Sequence, residues 1–249
     1  MSRQFMRALV ALVVVGVGFS VPASAQTVSA PTVDEIVAKN YASKGGLEKW
    51  KSIQTQKMTG VASAQGFELG MVVYGKRPNL GRQEMTIEVP GQPVMTMVNI
   101  FDGEKAWTIN PMMGTDAPQE VPGADAEVVK DQSNFDGALV DYKIKGHTIE
   151  LMGTVAVGGK PTHHLKVTRT GQPTQHYYLD VETGVELKIT TEAAGGPAVE
   201  AEMSDYRDVE GVLVPHLIKV SQGGQVQAEL RISKVEFNVA IDDALFRVR

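Results

Sequence analysis

Apolar positions near the N-terminus recur with a helical period. Val33, Val37 and Tyr41 fall at i, i+4 and i+8, the spacing that places side chains on one face of an α-helix. Thr32 and the glutamate three residues later have the spacing of a capping box, which starts a helix by satisfying its free N–H groups. The pattern predicts an α-helix over residues 32–44.

From residue 53 onward, apolar and polar residues alternate with a period of two, which is typical of a half-buried β-strand. Short runs rich in valine, isoleucine, threonine and tyrosine are separated by turn signals such as Asp102-Gly103, Thr170-Gly171 and Glu210-Gly211. This spacing predicts an antiparallel meander of about ten or eleven strands. Residues 112–142 interrupt the meander because they carry few strand signals.

The interruption contains a piece compatible with a helix at 124–132, followed by residues 135–142. An antiparallel sheet with one apolar face needs that face covered, by closing into a barrel, by a second sheet or by helices. The chain is therefore predicted to be mainly β, of the α+β class. We expect an incomplete, strongly curved antiparallel β-barrel with an N-terminal helix and a helical lid at 112–142. Residues 26–249 are predicted to form it as a single domain.

One hairpin allows its register to be predicted. A three-residue loop over 171–173 would place Lys166 opposite Tyr178 and Leu165 opposite Leu179. This register puts polar side chains beside polar ones and apolar beside apolar, whereas a slip by one residue would turn a whole face over.

Methionine is frequent in a chain of which aromatic residues make up only 6%. Met95 and Met97 would share one face of a predicted strand. Flexible thioether side chains suit a surface that accommodates varied apolar ligands, and they also serve as ordinary core filling. The residues alone leave both interpretations open.

The first 25 residues have the features of a secretory signal peptide. Arg3 and Arg7 precede an uncharged stretch over residues 8–19, and Ala23-Ser24-Ala25 has the small-residue pattern of a cleavage site. The apolar stretch is short for a membrane span, and the cleavage site argues against a retained anchor. Cleavage after Ala25 predicts a protein of the bacterial periplasm.

Charge and cysteine usage exclude several functions. The net charge is −5 for the whole chain, and it becomes more negative once the two arginines of the signal peptide are removed. An acidic chain with no basic cluster does not suit nucleic acid or an anionic membrane surface as a partner. Because the chain has no cysteine, disulfides, thiol catalysis and a lipid-modified cysteine are all excluded.

The sequence contains no G-x-S-x-G, P-loop, H-E-x-x-H or G-x-G-x-x-G motif. His163 and His164 are adjacent and would point to opposite faces of a strand, so they cannot share a metal ion. His164 and His176 would share a face, and a metal there would need a third ligand such as Asp180. Solvated surface histidines are the favoured interpretation. We therefore predict no catalytic residue, no metal site and no cofactor.

Three stretches resemble one known family. They are KRPNL at residues 76–80, MT at 85–86 and DGEKAWTINP at 102–111. In this order they are similar to the periplasmic lipoprotein carrier LolA and its LolA-like relatives. The resemblance implies an incomplete β-barrel with a helical lid over an apolar cavity. Such a cavity takes the acyl chains of lipoproteins and carries them through the periplasm.

The resemblance also implies roles for single residues. The arginine of the K-R-P motif is Arg77, which would hydrogen-bond to the lid and help to hold it closed. Trp107 would pack in the core or at the cavity wall, and Met95 and Met97 remain candidates for the cavity surface. We interpret the other two cations of this hairpin, at positions 76 and 82, as solvated.

The resemblance leaves the ligand open. Residues 145–249 are closer to a broad group of LolA-like periplasmic proteins than to the carrier itself, so the ligand is a lipoprotein, a free lipid or another apolar molecule. Inner- and outer-membrane proteins are candidate partners. Two other functions stay open. One is a non-enzymatic envelope module that binds a partner protein through exposed strand edges, and the other is a hydrolase with a non-standard site.

Overall fold

The computed structural model describes residues 30–193 and 195–248. The predicted signal peptide, residues 1–25, lies outside these described residues. The chain from Pro31 onward forms one compact unit. Within the described part, no helix combines the length and the apolar character that a membrane crossing needs.

Two helices precede the sheet and a third interrupts it. The predicted N-terminal helix is confirmed as α1, Val33–Ser43, and α2, Leu47–Ser52, follows it directly. The Thr32 hydroxyl accepts a hydrogen bond from the Glu35 amide at 3.3 Å. In return, the Glu35 carboxylate accepts one from the Thr32 amide at 2.7 Å, so the capping box is present. The third helix, α3, spans Gly123–Ser133, where the sequence predicted it.

Within the described ranges, thirteen strands form a single sheet. The strands are β1 Thr55–Ala64, β2 Phe67–Lys76, β3 Leu80–Ile87, β4 Met95–Phe101, β5 Ala106–Asn110, β6 Thr115–Glu120, β7 Thr148–Val157, β8 Lys160–Thr168, β9 Gln175–Asp180, β10 Glu186–Thr191, β11 Val199–Val209, β12 Val212–Gln222 and β13 Gln225–Phe237. Short 3-10 turns lie at Pro111–Met113 and Asp243–Phe246.

The sheet is antiparallel and open, in the order β6-β5-β4-β3-β2-β1-β13-β12-β11-β10-β9-β8-β7. This curved half-barrel with few helices confirms the predicted fold class. The structure has more strands than the ten or eleven predicted, partly because β6 lies inside the 112–142 interruption. Pro118 of β6 argues against a strand in the sequence, but β6 is at an end of the sheet, where the missing N–H of a proline is tolerated.

The predicted register of the β8–β9 hairpin is wrong by two residues. Leu165 pairs with Tyr177, whereas the prediction placed Leu179 opposite it. Lys166 pairs with His176, whereas the prediction placed Tyr178 there. A shift of two residues keeps every side chain on its predicted face. The connection is longer than predicted because Arg169, directly after β8, is buried and pairs with a carboxylate of α3.

Two apolar clusters form the core on one face of the sheet. The first packs Val37 of α1 against β8 and β9, and the second packs Trp50 of α2 against β12 and β13. Leu139 belongs to the first cluster and Val140 to the second, and both are almost completely buried. The last part of the predicted lid excursion therefore belongs to the core.

Candidate functional site

Two adjoining cavities lie against the sheet. One, cavity A, is covered by the segment 134–139, with Gln132 as the only contribution from α3, and the other, cavity B, is covered by α3 itself. Cavity A has a volume of about 290 Å³ and cavity B of about 310 Å³, which is near the lower limit for small-molecule sites. Met58 of β1, Gln132 of α3, Ile218 of β12 and Ile232 of β13 line both cavities. The two cavities therefore share one wall.

The remaining walls of the cavities are largely apolar. Cavity A extends toward α2 and toward the first apolar cluster of the core, the one that contains Val37. Cavity B extends toward β2 and β3. Apolar residues that line only cavity A include Trp50, Leu139 and Ile189. Apolar residues that line only cavity B include Met71, Val73 and Leu230.

Helix α3 covers cavity B with one of its sides. Val129, Gln132 and Ser133 line the cavity, whereas the neighbouring Val128 is 49% exposed. No residue of α3 is buried. Burial of apolar area therefore contributes less to holding α3 in place than it does for α1, which buries Ile36 and Val37. Polar contacts at the end of α3 and along one side add to it.

A pair of glycines, which we call the glycine seat, lets the end of α3 approach the sheet closely. Gly75 of β2 and Gly81 of β3 lie directly opposite each other. A Cβ atom added at Gly81 would lie 2.3 Å from the Cβ of Ser133, and one at Gly75 would lie 2.9 Å from Cδ1 of Phe135. Any larger residue at the seat would push this part of the chain away from the sheet.

Arg77, directly after β2, joins three parts of the molecule. Its guanidinium forms a bidentate ion pair with Asp136, with Nη1–Oδ2 and Nη2–Oδ1 distances of 2.5 and 2.6 Å. Its Nε donates to the carbonyl of Ile53 at 2.7 Å, and its Nη2 donates to the carbonyl of Trp50 at 3.2 Å. Arg77 thus links the end of β2 to the C-terminal end of α2 and to the segment that follows α3.

Aromatic rings enclose the Arg77–Asp136 ion pair, which we call the latch. The Phe135 ring centre lies 4.8 Å from Cζ of Arg77, and the same ring meets Trp50 edge to face at 5.9 Å. Nε1 of Trp50 donates to Oδ1 of Asp136 at 2.8 Å. The Arg77 and Asp136 side chains are only 17% and 13% exposed, so the pair is shielded from water more than a surface ion pair is.

The pKa of Asp136 lies below its ordinary value of 3.8. Burial acts to raise this pKa, but the hydrogen bonds and the positive charge of Arg77 act in the opposite direction and outweigh it, with a smaller contribution from Trp50. Asp136 is therefore ionised at neutral pH, and the latch holds as a true ion pair.

A second set of contacts holds α3 along its side. Arg169, which is 7% exposed, donates to the carboxylate of Asp131 in α3. Gln172 in the same loop donates to the carboxylate of Glu127. Because Glu127 and Asp131 are four residues apart, they lie on one side of the helix. The β8–β9 loop therefore binds one side of α3 through polar contacts.

Met95 and Met97 lie on the face of β4 that continues the wall of cavity B. Met97 is directly opposite Met85 of β3, which is itself opposite Met71 of β2. Met71 lines cavity B, so the three residues in register form a methionine row that starts at the cavity. Met95 precedes Met97 by two residues and shares its face, and both are half-buried.

Trp107 lies on the other face of the sheet. It is directly opposite Ile100, whereas the preceding residue, Asn99, lines cavity B, and neighbours in a strand point to opposite faces. Nε1 of Trp107 donates to Oδ2 of Asp102 at 2.8 Å. The structure thus places Trp107 with the Asp102 turn and away from the two cavities.

The interpretation of Lys76 and Arg82 as solvated cations is wrong. Lys76 pairs with the carboxylate of Asp243. Arg82 pairs with Glu84 at 2.6 Å and donates to the carbonyl of Leu245 at 3.0 Å. Because Asp243 and Leu245 belong to the C-terminal 3-10 turn, the two cations fix this turn to the β2–β3 hairpin.

The histidines considered as metal ligands bond to each other instead. Nε2 of His164 lies 2.8 Å from Nδ1 of His176, and Nε2 of His176 lies 3.1 Å from the Glu192 carboxylate. Asp180 accepts hydrogen bonds from two amides of its own turn, each at 2.8 Å. Across the described residues, no group of three or more histidine, aspartate or glutamate side chains is arranged to hold a metal ion.

Among the residues that sequence reasoning missed are the carboxylate of the latch, Asp136, and the two glycines of the seat. Asp136 is one of seven acidic residues within 112–142, and no local pattern distinguishes it from the others. Gly75 and Gly81 flank the KRPNL stretch. A glycine inside a strand pattern is a recognised sign of a close backbone approach, so the signal for the glycine seat was available in the sequence.

No protein-family model and no curated protein sequence matches this chain. Solved structures match it in fold. An outer membrane lipoprotein-sorting protein domain from Vibrio parahaemolyticus is 13% identical, with 86% of this chain and 97% of that chain covered and a TM-score of 0.58. A LolA superfamily protein from Nitrosomonas europaea is also 13% identical, with coverages of 88% and 98% and a TM-score of 0.59.

The chain has the LolA-like fold. A DUF1329 family protein from Desulfovibrio piger shares it at 14% identity, with 85% of this chain and 97% of that chain covered and a TM-score of 0.57. The fold that the resemblance of residues 76–111 implied is therefore confirmed. At these identities the comparisons establish the LolA-like fold, and function has to be argued from the site.

Proposed function

We propose that this protein is a periplasmic carrier that binds the acyl chains of lipoproteins or other lipids in cavities A and B and delivers them toward the outer membrane. It would carry out no chemical step. One observation carries this proposal: two largely apolar cavities share a wall on the sheet, and a helix that has no buried residue covers one of them, cavity B. In this proposal α3 is the lid and the latch keeps it closed.

Binding and release place opposite demands on a lipid carrier. Burial of an acyl chain contributes about 0.8 kcal/mol per methylene, so a permanently closed cavity would hold a long chain almost irreversibly. The lid is held mainly by charge-assisted hydrogen bonds at its end and along its side, each worth about 1.5–3 kcal/mol. Opening the lid therefore requires the loss of only a few such bonds, which contact with a membrane protein can compensate.

The cavity walls suit ligands of variable shape. Met58 lines both cavities, and the methionine row extends the wall of cavity B across β2, β3 and β4. Unbranched thioether side chains adapt to different apolar surfaces at low cost. Each cavity is small while the lid is closed, and movement of the lightly attached α3 would enlarge both of them for a long acyl chain.

The proposed location follows from the predicted signal peptide with cleavage after Ala25. A carrier in the periplasm would receive its lipid from a protein of the inner membrane and pass it to a protein of the outer membrane. The absence of a helix suited to membrane crossing in the described residues is compatible with transfer between two membranes.

A second candidate function is the capture of a partner protein by strand addition. β7 spans ten residues and, in the described part of the chain, pairs only with β8. Met152 and Val155 of this strand are 54% and 42% exposed. An added strand would use the free N–H and C=O groups along the outer side of β7. This function also fits a carrier, because a carrier has to dock on its membrane partners.

Lipid extraction and binding test the carrier function. Protein exported with its own N-terminal segment and purified from the periplasm should release lipid into organic solvent. The same protein, once freed of lipid, should bind a fluorescent fatty acid in a saturable way. Recovery of no lipid together with no binding of the fatty acid would contradict the proposal and favour the interaction module. Release of free fatty acid from an ester substrate would instead favour the hydrolase.

A further inference from the structure

One buried polar atom in the wall of cavity A has no partner. Gln56 of β1 is 7% exposed and lines this cavity. Its Oε1 atom is buried and accepts no hydrogen bond from any described residue. Buried side-chain oxygens are nearly always hydrogen-bonded, and an exception calls for a specific reason.

The position of Gln56 in the sheet explains why its side chain faces the cavity. Gln56 lies directly opposite Gly75 of the glycine seat, over which Phe135 packs. Met58, two residues farther along β1, lines both cavities. Side chains two residues apart in a strand share a face, so Gln56 points to the same side as Met58.

The charged side chains that line cavity A are each held in an ion pair. Asp136 is held by Arg77 in the latch. Lys44 pairs with Glu186 at 2.9 Å, and both side chains are mostly buried. Each of these pairs is neutral in sum. Among the residues that the structure describes, the wall of cavity A therefore presents no unpaired charge. Of their buried side-chain atoms without a partner, only Gln56 Oε1 belongs to a residue that lines cavity A or B.

We infer that cavity A selects acyl ligands that carry an uncharged hydrogen-bond donor, such as an amide N–H or a hydroxyl, and that Gln56 Oε1 accepts this hydrogen bond. The inference rests on the proposed carrier function and names the class of lipid. An ester can only accept hydrogen bonds, so it would leave Oε1 unpaired. A charged head group, such as the carboxylate of a fatty acid, would have to stay in water outside the cavity, because the two neutral pairs offer it no counter-charge.

Two probes with the same acyl chain test the inference. Palmitamide offers an N–H donor, and methyl palmitate does not. Each probe displaces a fluorescent fatty acid from the lipid-free, full-length mature protein, and the displacement gives its affinity. We expect the wild type to bind palmitamide at least about fivefold more tightly than methyl palmitate, the effect of one hydrogen bond to an otherwise unpaired buried oxygen.

The Gln56→Leu variant removes the acceptor while nearly preserving the volume of the side chain. We expect this variant to bind both probes equally, with the affinity for methyl palmitate unchanged. Its thermal midpoint should not fall, because the substitution removes an unpaired buried oxygen. Met152→Leu on the exposed β7 strand is the matched control and should keep the wild-type preference.

Three results would overturn the inference. Equal affinity of the wild type for both probes would show that Oε1 does not select the ligand. A lower thermal midpoint of Gln56→Leu, with equal loss of affinity for both probes, would show that Gln56 is only a structural residue. Failure of the wild type to bind either probe or the fluorescent fatty acid would reject the proposed carrier function, and this inference with it.

Discussion

Arg77 and Asp136 are 59 residues apart in the chain and form a bidentate ion pair, with N–O distances of 2.5 and 2.6 Å. One partner follows a strand of the sheet, and the other follows the helix that covers cavity B. Trp50 completes the arrangement through a hydrogen bond to the same carboxylate. At the end of α3, closure of the proposed lid therefore depends on this one guanidinium and this one carboxylate.

Replacing Arg77 by leucine should destabilise the protein and loosen the lid. The substitution leaves the carboxylate of Asp136 largely buried without its partner, which costs about 3–5 kcal/mol. Denaturant unfolding should show this loss, and a bound fluorescent fatty acid should dissociate faster. The double variant Arg77→Leu/Asp136→Leu should regain part of the stability but not the slow release. Unchanged stability and release in Arg77→Leu would reject the latch.

The latch should make the stability of the protein depend on acidic pH. Because the folded protein holds the pKa of Asp136 below 3.8, its stabilising contribution is complete above the ordinary pKa of aspartate. This contribution is lost as the pH falls through the lowered, folded-state pKa. Unfolding free energies measured over this acidic range should decline more steeply for the wild type than for Asp136→Asn. Parallel curves for the two proteins would show that another group is responsible.

Replacing Gly81 by alanine should lift the end of α3 off the sheet without touching the latch. The new Cβ would lie 2.3 Å from the Cβ of Ser133, an overlap that costs about 1–3 kcal/mol. We expect lower stability and faster release of a bound fatty acid. Gly70→Ala is the matched control in β2, since its nearest neighbours lie 3.8 Å away. Adding Ser133→Gly to Gly81→Ala should restore part of the loss, and no effect of Gly81→Ala would contradict the glycine seat.

Replacing Met58 by tryptophan should block the cavities. Met58 lines both of them, so a larger ring at this position would occupy the space proposed for the acyl chain. We expect the affinity for a fluorescent fatty acid to fall at least about tenfold, a change of about 1.4 kcal/mol in binding free energy. Met152→Trp, on the exposed β7 strand, should bind like the wild type. Equal binding by both variants would place the ligand outside the two cavities.

The sequence predicted those features that depend on local signals. The capping box at Thr32 and the period-two alternation after it led to α1 and to a curved antiparallel sheet, because helix caps and strand faces are set by neighbouring residues. The predicted β8–β9 register is wrong because Arg169 does not take part in the hairpin pairing and instead pairs with Asp131, 38 residues away. Loop-length rules for hairpins cannot include a contact of this range.

The latch was predicted only in part, for the same reason. Arg77 stands in a recognisable motif, so the resemblance singled it out. Its carboxylate partner belongs to an acidic segment without a distinguishing pattern, and only the folded chain brings the two together. Arg77 also donates to two carbonyls, but these belong to Trp50 and Ile53 at the end of α2, whereas its partner next to α3 is the side chain of Asp136.

The position of a bound acyl chain tests the central claim most directly. A fatty acid with a photoactivatable group in its chain can be bound to the protein, irradiated and located by mass spectrometry of the digested chain. We expect cross-links to the shared wall of cavities A and B, at Met58, Ile218 and Ile232, and their loss in Met58→Trp. Cross-links confined to the opposite face, around Trp107, or none above the level of an irradiated control protein, would contradict a lipid carrier.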